Sequence, residues 1–304
     1  MEPDAAPALS VVICTYNRPM LLRKTMDQVL NQAFQDLELI VIDQSDAREA
    51  ETNRTSVEAT LDSRVSYIHI GTKGLPNARN EAIRRALADI VLFLDDDVIL
   101  LRDGFMAAHV AAYDDPRVGG VTGRHVERSL RINSRQTACH VSWSGRTIFN
   151  LFGTERVPIR TCKGSNMSFR AAVFADVGGF DRRTEMLEDA DFSTRVLRAG
   201  WLLVFEPEAE LVHLSTPSGG VRQRDALRAE CRRFQSTSYF VLKHRGLIGF
   251  APFFITFTVI AAIRVLKLRS VAALPILLGS ILEGVKKWRA GPDEEIETTA
   301  EPRS

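Results

Sequence analysis

In its N-terminal third the chain alternates short, almost wholly apolar runs with longer stretches in which apolar residues recur every three or four positions. Residues 9–14 (LSVVIC), 37–42 (LELIVI), 65–70 and 90–94 (IVLFL) have strand length and little polarity. Residues 20–30, 47–59 and 75–88 carry helical spacing or a helix-permissive polar pattern. Strands apolar on both faces and separated by helices predict a mostly parallel α/β sheet covered on each side. Such sheets gather ligands at the carboxyl ends of their strands. Three of the four strand ends carry conspicuous polar residues: Thr15-Tyr16-Asn17, Asp43-Gln44-Ser45-Asp46 and Asp95-Asp96-Asp97.

The middle of the chain is less regular. Residues 160–169 and 201–205 read as strands, 171–177 and 188–199 as helices, with Gly178-Gly179 as the turn between. An Arg-rich, helix-permissive stretch follows at 222–244, and residues 293–301 form an acidic tail expected to be mobile. Between them, residues 246–263 (GLIGFAPFFITFTVIAAI) are uncharged and close to the shortest length that spans a bilayer. A second apolar piece, 271–285, is shorter and contains Glu283. Basic residues punctuate both: Lys243 and Arg245 before, Arg264, Lys267 and Arg269 between, Lys286, Lys287 and Arg289 after. A double crossing would strand the middle cluster on the far side and a single crossing the last one. Two helices lying in the cytoplasmic interface keep all three near anionic lipid. A single apolar anchor, or a buried helical pair with no membrane role, are the alternatives. The expected organisation is a disordered start at 1–8, a globular domain over 9–221, a helical connector over 222–245, membrane-associated helices over 246–289 and a mobile tail over 290–304.

Composition narrows the class. The 304 residues accommodate one large α/β domain plus an appendage, and 45% hydrophobic with 25% charged residues is the balance of a globular chain. A net charge of +1 leaves no cationic surplus to displace counterions, so nucleic acid is not expected as a partner. Cys14, Cys139, Cys162 and Cys231 lie far apart, without a CxxC pair or the Cys/His spacing of a zinc site, which suits a reduced, cytosolic chain. The opening residues MEPDAAPALS lack a basic stretch followed by an apolar one, so the globular part is expected in the cytoplasm.

The candidate chemistry sits at the polar strand ends. Three consecutive aspartates resist simultaneous ionisation unless a cation neutralises them, and hard carboxylate oxygens suit Mg²⁺ or Mn²⁺. In extended backbone Asp95 and Asp97 point one way and Asp96 the other, so Asp97 is the first candidate ligand, with Asp95 toward a ribose. Capping of a following helix by one aspartate is the plain alternative. Asp43 could accept from a nucleobase N–H or a ribose hydroxyl, and Arg79 could meet a phosphate or pair with an aspartate. Glu188-Asp189-Ala190-Asp191 opens a helix, where carboxylates either complement the dipole or supply a general base. His213, in ELVHL, is either a core histidine or a third metal ligand.

The motifs also have an order: SVVICTYNRP at 10–19, IVIDQSD at 40–46, ARN at 78–80, FLDDD at 93–97, GSNMSFR at 164–170, GGFD at 178–181 and EDADFSTRVLRAGW at 188–201. Together they resemble a family 2 glycosyltransferase of the GT-A fold over roughly residues 9–215. The resemblance implies a GT-A domain that takes a nucleotide-sugar donor and inverts the anomeric centre. Thr15, Tyr16, Asn17, Arg18, Asp43 and Arg79 would line the nucleotide pocket, and Asp95 and Asp97, with Asp96 between them, would form the DxD motif holding Mg²⁺ or Mn²⁺ on the diphosphate. Gly164, Ser165 and Asn166 would lie near the donor sugar and acceptor, Glu188 beside them, and Asp189 would be the catalytic base. His213 matches a histidine that contacts the metal or diphosphate in some members. Gln44 stands where the family often has a second acidic residue, so the bound base is not read from this motif.

Other nucleotide enzymes fit less well: CTYNRP is not the GxGxxG of a dehydrogenase, no GxxxxGK[ST] is present, and no Gly-rich, basic loop of a nucleotidyltransferase opens the domain. A different class of reading is a catalytically silent, membrane-bound partner in a glycan-assembly complex. The membrane-facing C-terminus makes a glycan or lipid-linked glycan the expected acceptor, as in envelope or exopolysaccharide assembly on the cytoplasmic side of the membrane.

Overall fold

The four apolar runs become β1 (Leu9–Thr15), β2 (Leu37–Asp43), β3 (Val65–His69) and β4 (Ile90–Asp95), all parallel, in the order β3-β2-β1-β4. The protein is described by a computed structural model that covers residues 6–126, 138–216, 226–268 and 273–291. Both faces of the strands are buried, which is why the runs are continuous rather than alternating. Val11, Ile13, Leu39, Val41, Leu92 and Leu94 pack into the layer beneath α1 (Pro19–Leu30). Val12, Ile40, Ile42, Val91 and Phe93 pack into the opposite layer with α3 (Leu75–Arg85). A third helix, α2 (Ala47–Glu58), links β2 to β3.

Past β4 the chain builds β5 (Val98–Leu100), α4 (Phe105–Ala111), β6 (Val118–Val126), the hairpin of β7 (Ala138–Val141) and β8 (Thr147–Asn150), and β9 (Val157–Ile159). Then follow β10 (Asn166–Arg170), α5 (Ala171–Val177), α6 (Glu188–Arg198) and β11 (Leu202–His213). The sheet continues β4-β10-β6-β11-β5, with β10 antiparallel to both neighbours and β9 along β11. Two register facts place the chemistry. Asn166 pairs with Leu94, so the residues before β10 sit beside those after β4. His213 pairs with Val98, so the end of β11 sits beside Asp97.

The expected strand over 160–169 is corrected to the short β9 and β10 with a loop between. Three successive amides of that loop donate to side chains from elsewhere: Cys162 N to Ser193 Oγ (2.9 Å), Lys163 N to Thr122 Oγ1 (3.2 Å) and Gly164 N to Asp189 Oδ2 (3.0 Å). A strand ladder would use those donors otherwise. The strand expected over 201–205 runs on to His213 through a register shift between Glu206 and Glu210, where Pro207 has no N–H to offer.

At the C-terminal end, α7 (Ala226–Leu268) changes direction at Gly246, whose φ of 62° and ψ of −162° lie outside the helix and favour glycine. The second half of α7 and α8 (Ala273–Arg289), which folds back along it, bury Phe253, Phe257, Ala261, Leu277 and Ile281 between them and the domain. Their outer face is apolar and open, with Ile248 88% and Leu266 76% exposed. Within the described residues, α7 carries the stretch long and apolar enough to cross a membrane. The first basic cluster turns inward. Lys243 pairs with Asp181 and Asp191, and Arg245 donates to the carbonyls of Val141, Ser142 and Trp143. Residues 1–5, the side chains of Arg264 and Lys267, Arg269 and the acidic tail lie outside the described residues.

Five phenylalanines, Phe93, Phe169, Phe174, Phe180 and Phe192, stack edge and face between the sheet and α5–α6 with centroids 4.5–6.3 Å apart. Phe192 touches three of the others from the helix that bears Asp189, so Phe192→Ala is expected to cost about 3–5 kcal/mol. The midpoint of urea unfolding checks it, and an unchanged midpoint would contradict this packing.

Candidate active site

Asp95, Asp96 and Asp97 leave β4 with their side chains on two sides. Asp97 Oδ1 lies 3.0 Å and Asp95 Oδ2 3.3 Å from His213 Nε2, and the ligand atoms of the three lie within 4.8 Å of one another. Asp97 Oδ2 accepts the Thr216 amide at 2.9 Å, which fixes the carboxylate's tilt. Burial alone would raise the Asp97 carboxyl, but the bond and charge of His213 and the Thr216 amide hold it below the usual range. Asp95 remains the partly open member. Two carboxylate oxygens and an imidazole converging at one corner are a donor set that Mn²⁺ or Mg²⁺ fits.

Asp96 faces the other way. It accepts Thr15 Oγ1 at 2.7 Å and Arg18 Nη1 at 2.9 Å, and burial pushes its carboxyl up to about 6 against the pull of Arg18. Thr15 and Arg18 are thereby held under the aspartate run, and Arg18 Nη1 also reaches Asp97 at 3.5 Å. Asn17 takes a left-handed φ of 55° and locks the β1–α1 turn to the β2–α2 turn by exchanging bonds with Asp46 (2.8 and 2.9 Å). These turns, Gly74 and the aspartates enclose a cavity of about 310 Å³ also lined by Tyr16, Gln44, Lys73 and His213.

Asp43 does not line it. Its buried carboxylate accepts from the Ser45 amide (2.7 Å), Asn53 (2.8 Å) and Tyr67 (2.7 Å), so in this structure it braces the end of β2. Gln44, by contrast, faces the cavity and donates to Gly74 O at 3.1 Å.

A second cavity, about 450 Å³, adjoins the first through Leu75 and Asp95 and holds Asp189. Leu187 precedes α6 in a left-handed conformation (φ 70°), a strain that sterics make rare for a bulky residue. Asp189 then accepts the Gly164 amide at 3.0 Å and Ala190 N at 2.7 Å. Its neighbour Glu188 pairs at 3.0 Å with Arg79, which also donates to Gly164 O at 3.0 Å. Arg79, expected at the nucleotide, is thus committed to Glu188. A Cβ on Gly164 would stand 2.8 Å from Arg79 Nη2 and 3.4 Å from Asp189 Oδ2, so glycine lets the loop close on both. Desolvation, then the Asp189 charge, raise Glu188 to about 7 despite Arg79, and desolvation raises Asp189 as well.

Ser165 lines this cavity, with its buried hydroxyl lacking a hydrogen-bond partner among the described residues. Asn166 is structural here: its amide donates to Ala209 O at 3.0 Å and its oxygen meets His109 Nε2 at 2.9 Å. Sequence reasoning missed Lys73, which lies 4.7 Å over the Tyr16 ring and 2.7 Å from Asp46, and Thr216 on Asp97. GTKG at 71–74, directly after a strand, was the available signal for Lys73.

Comparisons with known proteins bear on the family and the fold. The model of "Glycosyl transferase family 2" matches residues 10–178. An O-antigen chain rhamnosyltransferase of Salmonella typhimurium is 26% identical over 211 residues, covering 67% of this chain and 66% of that protein. A glucosyl-dolichyl phosphate glucuronosyltransferase of Haloferax volcanii is 27% identical over 179 residues, covering 58% and 56%. The chain therefore spans less than two thirds of those relatives' own length. Among solved structures, a mannosyltransferase from Pyrobaculum calidifontis in complex with GDP-Man and Mn²⁺ superposes with a TM-score of 0.60 at 21% identity, covering 98% of this chain and 80% of that one, a likeness of fold.

The donor set can be tested without knowing a substrate. Mn²⁺ added with UDP, GDP and dTDP should raise the thermal transition, by about 2.7 kcal/mol of stability if the bound pair stands near 100 times its dissociation constant. Asp97→Asn should lose most of that rise in differential scanning fluorimetry. An equal rise in the variant would remove Asp97 from the ligands.

Proposed function

The chain belongs to glycosyl transferase family 2, and from that premise we propose that it transfers a sugar, with inversion, from a nucleotide-sugar to a hydroxyl of a growing glycan. One observation carries the reading: Asp95, Asp97 and His213 converge at one end of a cavity whose neighbour holds Asp189. Mannosyl transfer and Mn²⁺ in the Pyrobaculum structure, and glycan assembly in the Salmonella relative, support it as properties of those proteins.

The residues divide the work. A divalent ion on Asp95, Asp97 and His213 would act as a Lewis acid toward the leaving diphosphate. Arg18, kept in place by Asp96, adds positive charge on the same side. Tyr16, Lys73 and Gln44 line the remainder of the nucleotide cavity. Asp189 takes the proton from the acceptor hydroxyl as its oxygen bonds the anomeric carbon and the bond to the diphosphate oxygen breaks with its electron pair. The Gly164 and Ala190 amides hold the base in place, and burial keeps its proton affinity high enough for the role.

The C-terminal helices are read as lying on the cytoplasmic leaflet. The exposed apolar face of the second half of α7 supports this, while the first basic cluster does not contribute, because half-buried Lys243 and Arg245 are engaged by Asp181, Asp191 and three backbone carbonyls. The chain should float with phosphatidylglycerol vesicles, and Ile255→Lys should weaken flotation. A chain that stays in the soluble fraction would end the membrane reading.

Asp189→Asn should cut transfer by on the order of 10²–10⁴ while leaving nucleotide binding in place. Wild-type turnover in the variant would rule the residue out. The base works only unprotonated, and both Glu188 and Asp189 sit above the ordinary carboxyl values. The rate should therefore fall along an acid limb that lies above the ordinary carboxyl range, the titration belonging to the pair. An acid limb near 4 would contradict it.

A further inference from the structure

The β7–β8 hairpin ends in the turn Ser142-Trp143-Ser144-Gly145. The Gly145 amide donates to Ser142 O at 2.9 Å and the Ser142 amide to Arg146 O at 2.8 Å. At its tip Trp143 is 71% exposed, although the turn itself is firmly held. Gly145, with a φ of 80°, lies so close to α7 that a Cβ would be 2.3 Å from the Thr237 methyl and 3.0 Å from Val241 Cγ2. Arg245 donates to the carbonyls of Val141, Ser142 and Trp143 and sets its guanidinium 5.5 Å from the centre of the Trp143 ring. A rigid support thus displays the largest of side chains to solvent. The same arginine joins that ring to the apolar half of α7. Its stem lies along Gly249, where a Cβ would stand 2.3 Å from Arg245 Cβ. Leu247 and Ile248, between the two, are 70% and 88% exposed. Trp143, Leu247 and Ile248 therefore gather around Arg245, where α7 begins its open apolar run of Phe254, Ile255, Val259 and Ile263.

Single exposed apolar residues mean little, but a continuous patch marks an interaction surface. Three observations choose a bilayer over a protein partner. The patch runs into the stretch of α7 apolar enough to cross a membrane, which is only 22% buried. An indole, apolar but for one N–H, prefers the headgroup level of a bilayer. Arg146, which closes the turn, is exposed and pairs with no carboxylate among the described residues, a charge that suits anionic headgroups. We propose that the tip of the β7–β8 hairpin is a second membrane contact, made by the globular domain, with Trp143 seated among lipid headgroups beside Leu247 and Ile248. This rests on the reading of the C-terminal helices as lying on the leaflet and adds what they do not supply. A helix resting on a surface can roll about its own axis, and a contact off that axis stops the roll. The hairpin also lends Gly145, Arg146, Thr147 and Phe149 to the wall of the second cavity, so the contact fixes how the cavity that holds Asp189 faces the bilayer.

Trp201→Phe with Trp288→Phe leaves Trp143 as the sole tryptophan of the full chain. Phosphatidylglycerol vesicles should then shift its emission to shorter wavelength and cut its quenching by iodide severalfold. Lipids brominated near the headgroup should quench it more than lipids brominated at the chain end. In the otherwise unchanged chain, Trp143→Ala should weaken vesicle flotation about tenfold, as loss of a large buried apolar side chain does. The rise in thermal transition with Mn²⁺ and nucleoside diphosphates should stay as it was. Unchanged emission and iodide access in a chain that floats overturns the hairpin contact alone, leaving Trp143 to a protein partner. Stronger quenching from the chain ends overturns the headgroup placement. A chain that does not float removes the hairpin contact together with the membrane reading beneath it. Should the double variant lose its thermal transition, brominated-lipid quenching is compared between the wild type and Trp143→Ala. The same fractional quenching in both would then overturn the contact.

Discussion

The buried Arg79–Glu188 pair is the contact on which the site's geometry rests. Arg79 is 2% exposed and lies under the rings of Phe93 and Phe180, at 5.8 and 5.2 Å from their centroids. From α3 it reaches Glu188 on α6 and the carbonyl of Gly164 in the loop before β10. Three segments far apart in sequence thus meet at one guanidinium. A buried pair of this kind adds little stability over an apolar replacement, yet removing one partner leaves an uncompensated charge and costs about 3–5 kcal/mol. Its value is positional. The loop that Arg79 holds by its carbonyl is the loop that holds Asp189 by its amide.

Charge is partitioned by the same logic on the other side of the site. Three adjacent aspartates cannot share one environment, and the backbone separates them. Asp96 goes inward to Thr15 and Arg18, while Asp95 and Asp97 turn to His213. The inward aspartate anchors an arginine that also touches Asp97, so the cation placed by one carboxylate tempers the next. Asp96 positions Arg18, and the pair beside it stays together with His213 at the mouth of the cavity.

Much of this was legible in the chain, for a physical reason. Parallel strands buried on both faces are nearly all apolar, so β1, β2 and β4 announce themselves, as do the polar residues that end them. The order of the motifs pointed to Asp97 and Asp189, which the fold sets in two adjoining cavities. The strand content of 160–169 was misread because composition does not reveal that three loop amides will donate to Ser193, Thr122 and Asp189. Asp43 and Arg79 show the same limit. Their residue types suit a nucleotide, but Asn53, Tyr67 and Glu188 arrive from elsewhere to occupy them. Lys73 escaped because the GTKG turn after β3 is a weak signal on its own, and the pairing with Tyr16 and Asp46 exists only in three dimensions.

The helix bearing Asp189 is tied in turn to the apolar end of the chain. Asp189 faces the cavity, but Asp191, two residues on, points back toward α7. There it meets Lys243 at 2.7 Å and His244 at 2.8 Å, and Arg195 on its own helix at 3.0 Å. Burial would raise this carboxyl, but His244, Arg195 and Lys243 drive it far below the usual range. Lys243 also reaches Asp181 at 2.6 Å, and Tyr239 donates to the same oxygen. Gly246 follows at once and turns α7 into its exposed apolar half. The ionic cluster therefore lies at the joint between Asp189 and the surface proposed to rest on lipid. Under the proposed function, a helix resting on a bilayer at that joint would set the height of Asp189 above it, and an acceptor anchored in the same bilayer would have its hydroxyl confined to a matching height. Orientation would then be supplied to both reactants by one surface, removing part of the entropy that a freely diffusing acceptor would have to lose at the site.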